Sequence, residues 1–172
     1  MEIEKMLADS KALTFGDFTL ASGRKSSYYV DIKKSITDPA ILKAIAKELS
    51  KHVANEKIAG IELGSVPIAV ALSLETSRPY LIIRKEEKGY GTQRLVEGVL
   101  NRGDKVVIVD DVATTGKSII RAANILRGEG AVVEKALVVV DREEGAEQNL
   151  AEAGLKMVSV VKVSNLMALT RK

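Results

Sequence analysis

No cysteine occurs in the 172-residue chain, which excludes disulfides, thiolate zinc sites and a cysteine nucleophile. Histidine is nearly as scarce: His52 is the only one, so a serine–histidine triad or a histidine-rich metal site has little to build on. His52 itself, late in an expected helix, reads as a surface or helix-end residue. No apolar run approaches the about 20 residues a membrane span needs. The opening MEIEKMLADSKAL is an acidic–basic amphipathic pattern and not a signal peptide. A cytoplasmic soluble protein is expected. Charge of one sign is also limited: a net charge of +3 does not by itself demand a nucleic-acid surface, and no helix-turn-helix domain is appended.

What is present suits one domain over residues 1–172: 46% of the residues are apolar and 28% charged. Ile3, Met6, Leu7 and Leu13 form a rough helical stripe. In DFTLASGRKSSYYVDIKKSI, turn residues interleave with Phe18, Tyr28, Tyr29 and Val30, predicting short strands around a Ser22-Gly23 turn. A helix is predicted from Asp38, with Asp38 as cap, Pro39 in first position and Ile41, Leu42, Ile45, Leu49 and Val53 on the buried face.

Beyond it strands and helices alternate. KIAGIEL, PYLIIR, KVVIVD, AVVEKALVVVD and KMVSVVKV read as strands; VPIAVALSLET, GKSIIRAANILRGEG and EEGAEQNLAEAG read as helices. The strands are continuous Val/Ile/Leu runs, which favours a parallel sheet buried on both faces. The expectation is an α/β doubly wound fold: a mostly parallel five-stranded sheet flanked by helices, with a smaller cap built mainly from about residues 1–35. Arg121 and Arg127 are expected on the solvent face of their helix, and Glu62 in a structural role.

The stretch KVVIVDDVATTGKS, Lys105 to Ser118, sets two carboxylates beside a small-residue turn of the kind that holds a phosphate. Ligands of open α/β sheets collect at the carboxyl edge of the strands. Asp110 and Asp111 would lie at that edge, and the turn leads into a helix whose first amides are unpaired and partly positive. Amides of residues 114 to 118, with the hydroxyls of Thr115 and Ser118, suit a phosphate monoester; Lys117 either adds charge or faces solvent. A nucleotide P-loop is disfavoured, because the glycine it needs five positions before Gly116 is Asp111. A dinucleotide fingerprint is absent too, since DDVATTG has one glycine. Carboxylates accept hydrogen bonds from vicinal diols, so a ribose 5-phosphate meets acids and cradle at once. The bland alternative is a strand–turn–helix whose acids merely cap the helix.

Asp110-Asp111-Val112-Ala113-Thr114-Thr115-Gly116-Lys117-Ser118 resembles the motif with which type I phosphoribosyltransferases bind 5-phosphoribosyl 1-pyrophosphate (PRPP). Three further stretches, in the same order along the chain, resemble the orotate phosphoribosyltransferases of that family. FTLASGRKSSYYVDIKK (Phe18–Lys34) is similar to their amino-terminal hood, IIRKEEKGYGT (Ile82–Thr92) to their catalytic loop, and VVVDREEGAEQNL (Val138–Leu150) to the strand and loop under the base.

The resemblance implies the type I fold with a hood, transfer of phosphoribose from PRPP to orotate, and a homodimer with shared active sites. It implies orotate contacts at Arg142, Thr114, Tyr28 and Tyr29, and pyrophosphate contacts at Arg84, Lys85, Lys88 and Tyr90. Arginine is a suitable bidentate partner for orotate's carboxylate, although Arg142 also has Glu143 and Glu144 beside it for a surface pair. One of the two tyrosines is expected to face the core, because strand neighbours point opposite ways. Arg84, Lys85 and Lys88 suit the negative charge that builds on departing pyrophosphate; Glu86 and Glu87 offset part of it, and a solvated charged loop is the plain alternative. Mg²⁺ is implied by the substrate, held mainly by PRPP with Asp110 and Asp111 nearby.

The chain departs from bacterial members at three places. Tyr90 stands where they commonly carry histidine, Ala21 where many carry lysine, and Gly64-Ser65 where they have lysine followed by glycine. Ser65 and its flanking amides remain candidates for pyrophosphate. This pattern resembles a short, archaeal-type branch. A purine phosphoribosyltransferase on the same scaffold is the alternative enzyme, and a PRPP-sensing, nucleic-acid-binding regulator is the alternative of another class.

Overall fold

The computed structural model describes residues 2–19, 23, 25–85 and 94–170. A helix α1 (Glu2–Asp9) leads into an antiparallel hairpin, β1 (Leu13–Thr19) and β2 (Lys25–Val30). Helix α2 (Pro39–Ser50) follows as the sequence predicts: Asp38 accepts a 2.8 Å hydrogen bond from the Ala40 amide, and Pro39 occupies the first turn, where no amide partner is needed.

The remaining chain builds a six-stranded sheet in the order β5-β4-β3-β6-β7-β8. Its strands are β3 (Lys57–Ile61), β4 (Tyr80–Ile83), β5 (Val96–Glu97), β6 (Lys105–Ala113), β7 (Val132–Asp141) and β8 (Lys156–Lys162). All pairs are parallel except β4 with β5. Helices α3 (Val66–Thr76), α4 (Lys117–Gly128) and α5 (Ala146–Glu152) connect them, and α6 (Val163–Thr170) closes the chain.

Alternate residues of the central strands face opposite layers, which is why these strands carry unbroken apolar runs. Val107, Val109, Leu137 and Val139 pack in one core with Leu7, Ile45, Leu49, Ile68, Leu72 and Leu166 of α1, α2, α3 and α6. Val106, Ile108, Ala136 and Val138 pack in the other with Ile119, Leu126 and Leu150 of α4 and α5. The chain runs from β3 outward to β4, then returns to place β6 on β3's other side and runs outward again to β7 and β8. The strand order therefore reverses between β3 and β6, and the carboxyl ends of these two strands form the crevice where such sheets bind ligands.

The structure departs from the sequence reading at several points. The five expected strands are present, but a sixth, β5, adds a two-residue antiparallel edge inside the stretch read as polar loop. Strand β6 continues through Ala113, because β7 pairs with it as far as Ala113↔Asp141; the turn begins only at Thr114. Leu13 belongs to β1, not to the first helix, and Val53 lies beyond α2. The terminal α6 was not foreseen; its Val163 and Leu166 are buried in the same core as Ile3 and Leu7 of α1, and its Asn165 donates to Glu4 at 2.8 Å. Arg127 is only half-exposed. Its guanidinium donates to the carbonyls of Val133, Ala153 and Gly154, tying the end of α4 to β7 and to the turn after α5.

Candidate active site

The two acids lie at the crevice and differ in environment. Asp110 is 6% exposed. Its carboxylate accepts from the Ser118 hydroxyl and from the Asp111 amide, both at 3.0 Å. Burial, and then the charge of Asp111, push its pKa up to about 7. Asp111 accepts from the Val112 amide at 2.9 Å and lies 3.6 Å from the Lys33 ammonium. Burial pulls Lys33 down, but the charges of Asp111 and Asp31 outweigh it, leaving its pKa raised. Lys33 lies in the hood-like stretch Phe18–Lys34, but no local spacing ties it to Asp111; only the chain's passage from the hairpin to α2 brings the two together.

The loop after β3 closes over the same acid. A Cβ on Gly64 would collide with the Asp111 carboxylate, so a side chain here would force Asp111 to move. Ser65, a candidate pyrophosphate contact, is instead fully buried. Its hydroxyl donates to the Ile61 carbonyl at 2.7 Å and accepts from the Ile61 amide at 2.6 Å, so it shapes the loop.

The phosphate-type turn stands where expected. Gly116 has φ +78° and precedes an α4 that lacks a side-chain cap. The partly positive amides of that first turn suit an anion. Thr114 and Thr115 are half-buried, and Lys117 and Ser118 are exposed. The Ser118 hydroxyl is engaged with Asp110, as described above. Val112 and Ala113 lie inside β6: the Val112 amide bonds Asp111, and buried Ala113 accepts from the Arg142 amide at 2.9 Å. Asn149 of α5 donates to the Thr115 carbonyl at 2.9 Å and holds the turn from behind. A methyl on Gly116 would collide with Leu150 Cδ1, besides straining a positive-φ backbone. Gly116→Ala is therefore expected to lose about 2 kcal/mol of stability, read as a fall of roughly 5 °C in Tm.

Arg142 follows β7 one residue past the Ala113↔Asp141 pair, beside Thr114. It is 6% exposed and donates to Glu144 at 2.8 Å. The guanidinium carbon lies 4.8 Å from the Tyr28 ring centre, within range of a cation–π contact. Its Nε is buried without a hydrogen-bond partner. The Glu144 pair therefore exists, but as a buried contact that leaves one donor unspent. The tyrosines part company as strand alternation requires: Tyr28 packs against the core and under Arg142, whereas Tyr29 is exposed, its ring 5.5 Å from that of Phe18.

Arg84 and Lys85 follow β4, across the crevice. Arg84 pairs with Glu97 at 3.4 Å and its amide donates to Leu95 at 2.8 Å. The Lys85 amide donates to Glu62 at 3.0 Å, giving Glu62 the structural role expected of it. Arg121 is exposed, as expected, but it also donates to the carbonyls of Arg84 at 3.1 Å and Lys85 at 2.7 Å. Lys88 and Tyr90 lie outside the described residues.

Comparison with known proteins agrees with this geometry. A family model described as "Phosphoribosyl transferase domain" matches residues 33–162. The orotate phosphoribosyltransferase of Pyrococcus abyssi is 51% identical over 170 residues, covering 96% of this chain and 93% of its own. The crystal structure of orotate phosphoribosyltransferase from Aeropyrum pernix superimposes with a TM-score of 0.85 at 39% identity, covering 97% of each chain. The UMP synthase of Leishmania donovani gives a TM-score of 0.88 at 38% identity over 99% of this chain, which spans 38% of that longer one.

Proposed function

Because the chain belongs to the phosphoribosyltransferase family, and within it to the orotate phosphoribosyltransferases, we propose that it transfers phosphoribose from PRPP to orotate, yielding orotidine 5′-monophosphate and pyrophosphate on the route to UMP. The observation that carries the orotate assignment is Arg142: a buried guanidinium over Tyr28, with an unspent Nε donor, beside the turn that suits a phosphate. A planar, carboxylated pyrimidine matches both features, since the ring lies against Tyr28 and the carboxylate takes the guanidinium.

Each part of the site then has a task. The amides of residues 114 to 118 hold the 5′-phosphate, and Asp110 and Asp111 accept from the ribose hydroxyls. Arg84, Lys85 and Lys88, with Tyr90, meet the pyrophosphate. Thr114 borders the base beside Arg142. A ring nitrogen of orotate attacks the anomeric carbon as the bond to pyrophosphate oxygen breaks; configuration inverts and the nitrogen's proton is released. The developing negative charge on pyrophosphate is met by these cations, so positioning and electrostatics supply the acceleration. Mg²⁺ fits the donor chemistry, because Asp110 and Asp111 present the carboxylate oxygens this hard cation takes. When bound with PRPP it would neutralise pyrophosphate, with the two acids beside it.

A cytoplasmic homodimer is the proposed working form. Helix α3 supports it: polar residues are confined to its last turn, at Ser73, Glu75 and Thr76. Leu74 is 78% exposed, and Leu63 in the loop before the helix is 71% exposed. A helix apolar on all sides is ordinarily covered. If sites are shared, Lys88→Ala chains mixed with Asp111→Asn chains should regain about a quarter of wild-type activity, since half the dimers are hybrids with one intact site of two. No recovery despite verified hybrids removes the shared site.

The deciding assay follows pyrophosphate release from PRPP and Mg²⁺ with orotate, adenine, hypoxanthine or xanthine. Release with orotate alone is expected. Release with a purine instead overturns the assignment.

A further inference from the structure

The backbone of Arg84 and Lys85 is held at both of its amides and both of its carbonyls. The Arg84 amide donates to Leu95 and the Lys85 amide to Glu62. The two successive carbonyls accept from the two terminal nitrogens of one guanidinium, Arg121, at 3.1 Å and 2.7 Å. Arg121 stands on α4 one turn after Lys117, so the helix that begins at the phosphate-type turn also grips the end of β4.

The geometry points to Arg121 as a positioning residue for the transfer reaction, setting where the Arg84 and Lys85 side chains stand relative to the phosphate turn. This rests on the proposed role of those cations at the pyrophosphate. The fork matters as well as the charge. A guanidinium spans two carbonyls in one plane, whereas an ammonium on a flexible stem reaches one at a time. Nothing in this arrangement touches substrate; Arg121 acts through the backbone it holds. Displacing that backbone by about 1 Å shifts both cations together, and errors of that size in positioned groups cost up to about 10²-fold in rate.

The test is a double-mutant cycle on the full chain, measuring kcat, KM for orotate and Tm. Arg121→Ala is expected to lower kcat about 10-fold, leave KM for orotate within about 2-fold, and leave Tm within about 3 °C. Arg121→Lys should recover only part of the loss. In an Arg84→Ala/Lys85→Ala background, adding Arg121→Ala should lower kcat by less than about 2-fold, because both groups being positioned are already gone. Wild-type kcat in Arg121→Ala overturns the proposal, as does an equal loss in both backgrounds. Full turnover in Arg84→Ala/Lys85→Ala alone would instead overturn the pyrophosphate role of these two cations, and the positioning proposal with it.

Discussion

Replacing Asp110 and Asp111 together by asparagine is expected to weaken PRPP binding about 10³-fold, measured by calorimetry at constant Mg²⁺. Hydrogen bonds to charged groups contribute about 1.5–3 kcal/mol each, so losing two of them costs about 3–6 kcal/mol. An asparagine oxygen still accepts, but without the charge, and its amide hydrogens oppose the diol. Affinity within a few fold of wild type would sink the diol assignment.

Asp110 has an opposite effect on stability. Asp110 has its pKa raised to about 7 in the fold, mainly by burial, from an ordinary value of 3.8. A carboxyl raised in this way contributes stability that is complete below pH 3.8 and is lost as pH rises through about 7, because the unfolded chain ionises first. Asp110→Asn removes that loss. Its advantage over wild type in denaturant melts of the free protein should therefore grow from pH 5 to pH 8 by about 3 kcal/mol. A pH-independent difference would show that Asp110 ionises normally. A protein that keeps a destabilising carboxylate in its crevice is holding it for a ligand, which is the sense in which function and stability compete here.

Arg142→Ala is expected to lower kcat/KM for orotate about 10³-fold while PRPP affinity stays within about 3-fold. Truncating one partner of a buried, hydrogen-bonded charge pair costs about 2–5 kcal/mol, and the substrate carboxylate would enter the site with no cation to meet it. Arg142→Lys should fall between, keeping charge but losing the fork and the flat face that lies on Tyr28. Equal losses for orotate and PRPP would mean that Arg142 supports the turn beside it, not the base.

Much of this was legible in the chain because it is local chemistry. Strands β6 and β7 announce themselves as apolar runs too long and continuous for one-sided burial. Asp38-Pro39 marks the start of α2, and the Asp-Asp and Thr-Thr-Gly-Lys-Ser elements are adjacent in sequence, so no folding is needed to bring them together. Less legible was whatever depends on a partner far along the chain. Strand β5 is two residues long and exists only because β4 offers an edge. Helix α6 is stabilised by α1, at the other end of the chain. Arg121 and Arg127 look like solvent-facing cations by helical position; each is taken up by backbone carbonyls that only the tertiary fold supplies.

The sequence by itself determined the parallel α/β plan, the pairing of two acids with a phosphate-type turn, and the family these imply. Periodicity and near-neighbour spacing carry those facts without reference to distant residues. Tertiary structure decided that Tyr28 and not Tyr29 lies under Arg142, that Lys33 attends Asp111, that Ser65 shapes its loop, and that Asp110 is held in a setting which resists its charge. Each of these depends on which segments, remote in the chain, exclude water from the same few ångströms of crevice.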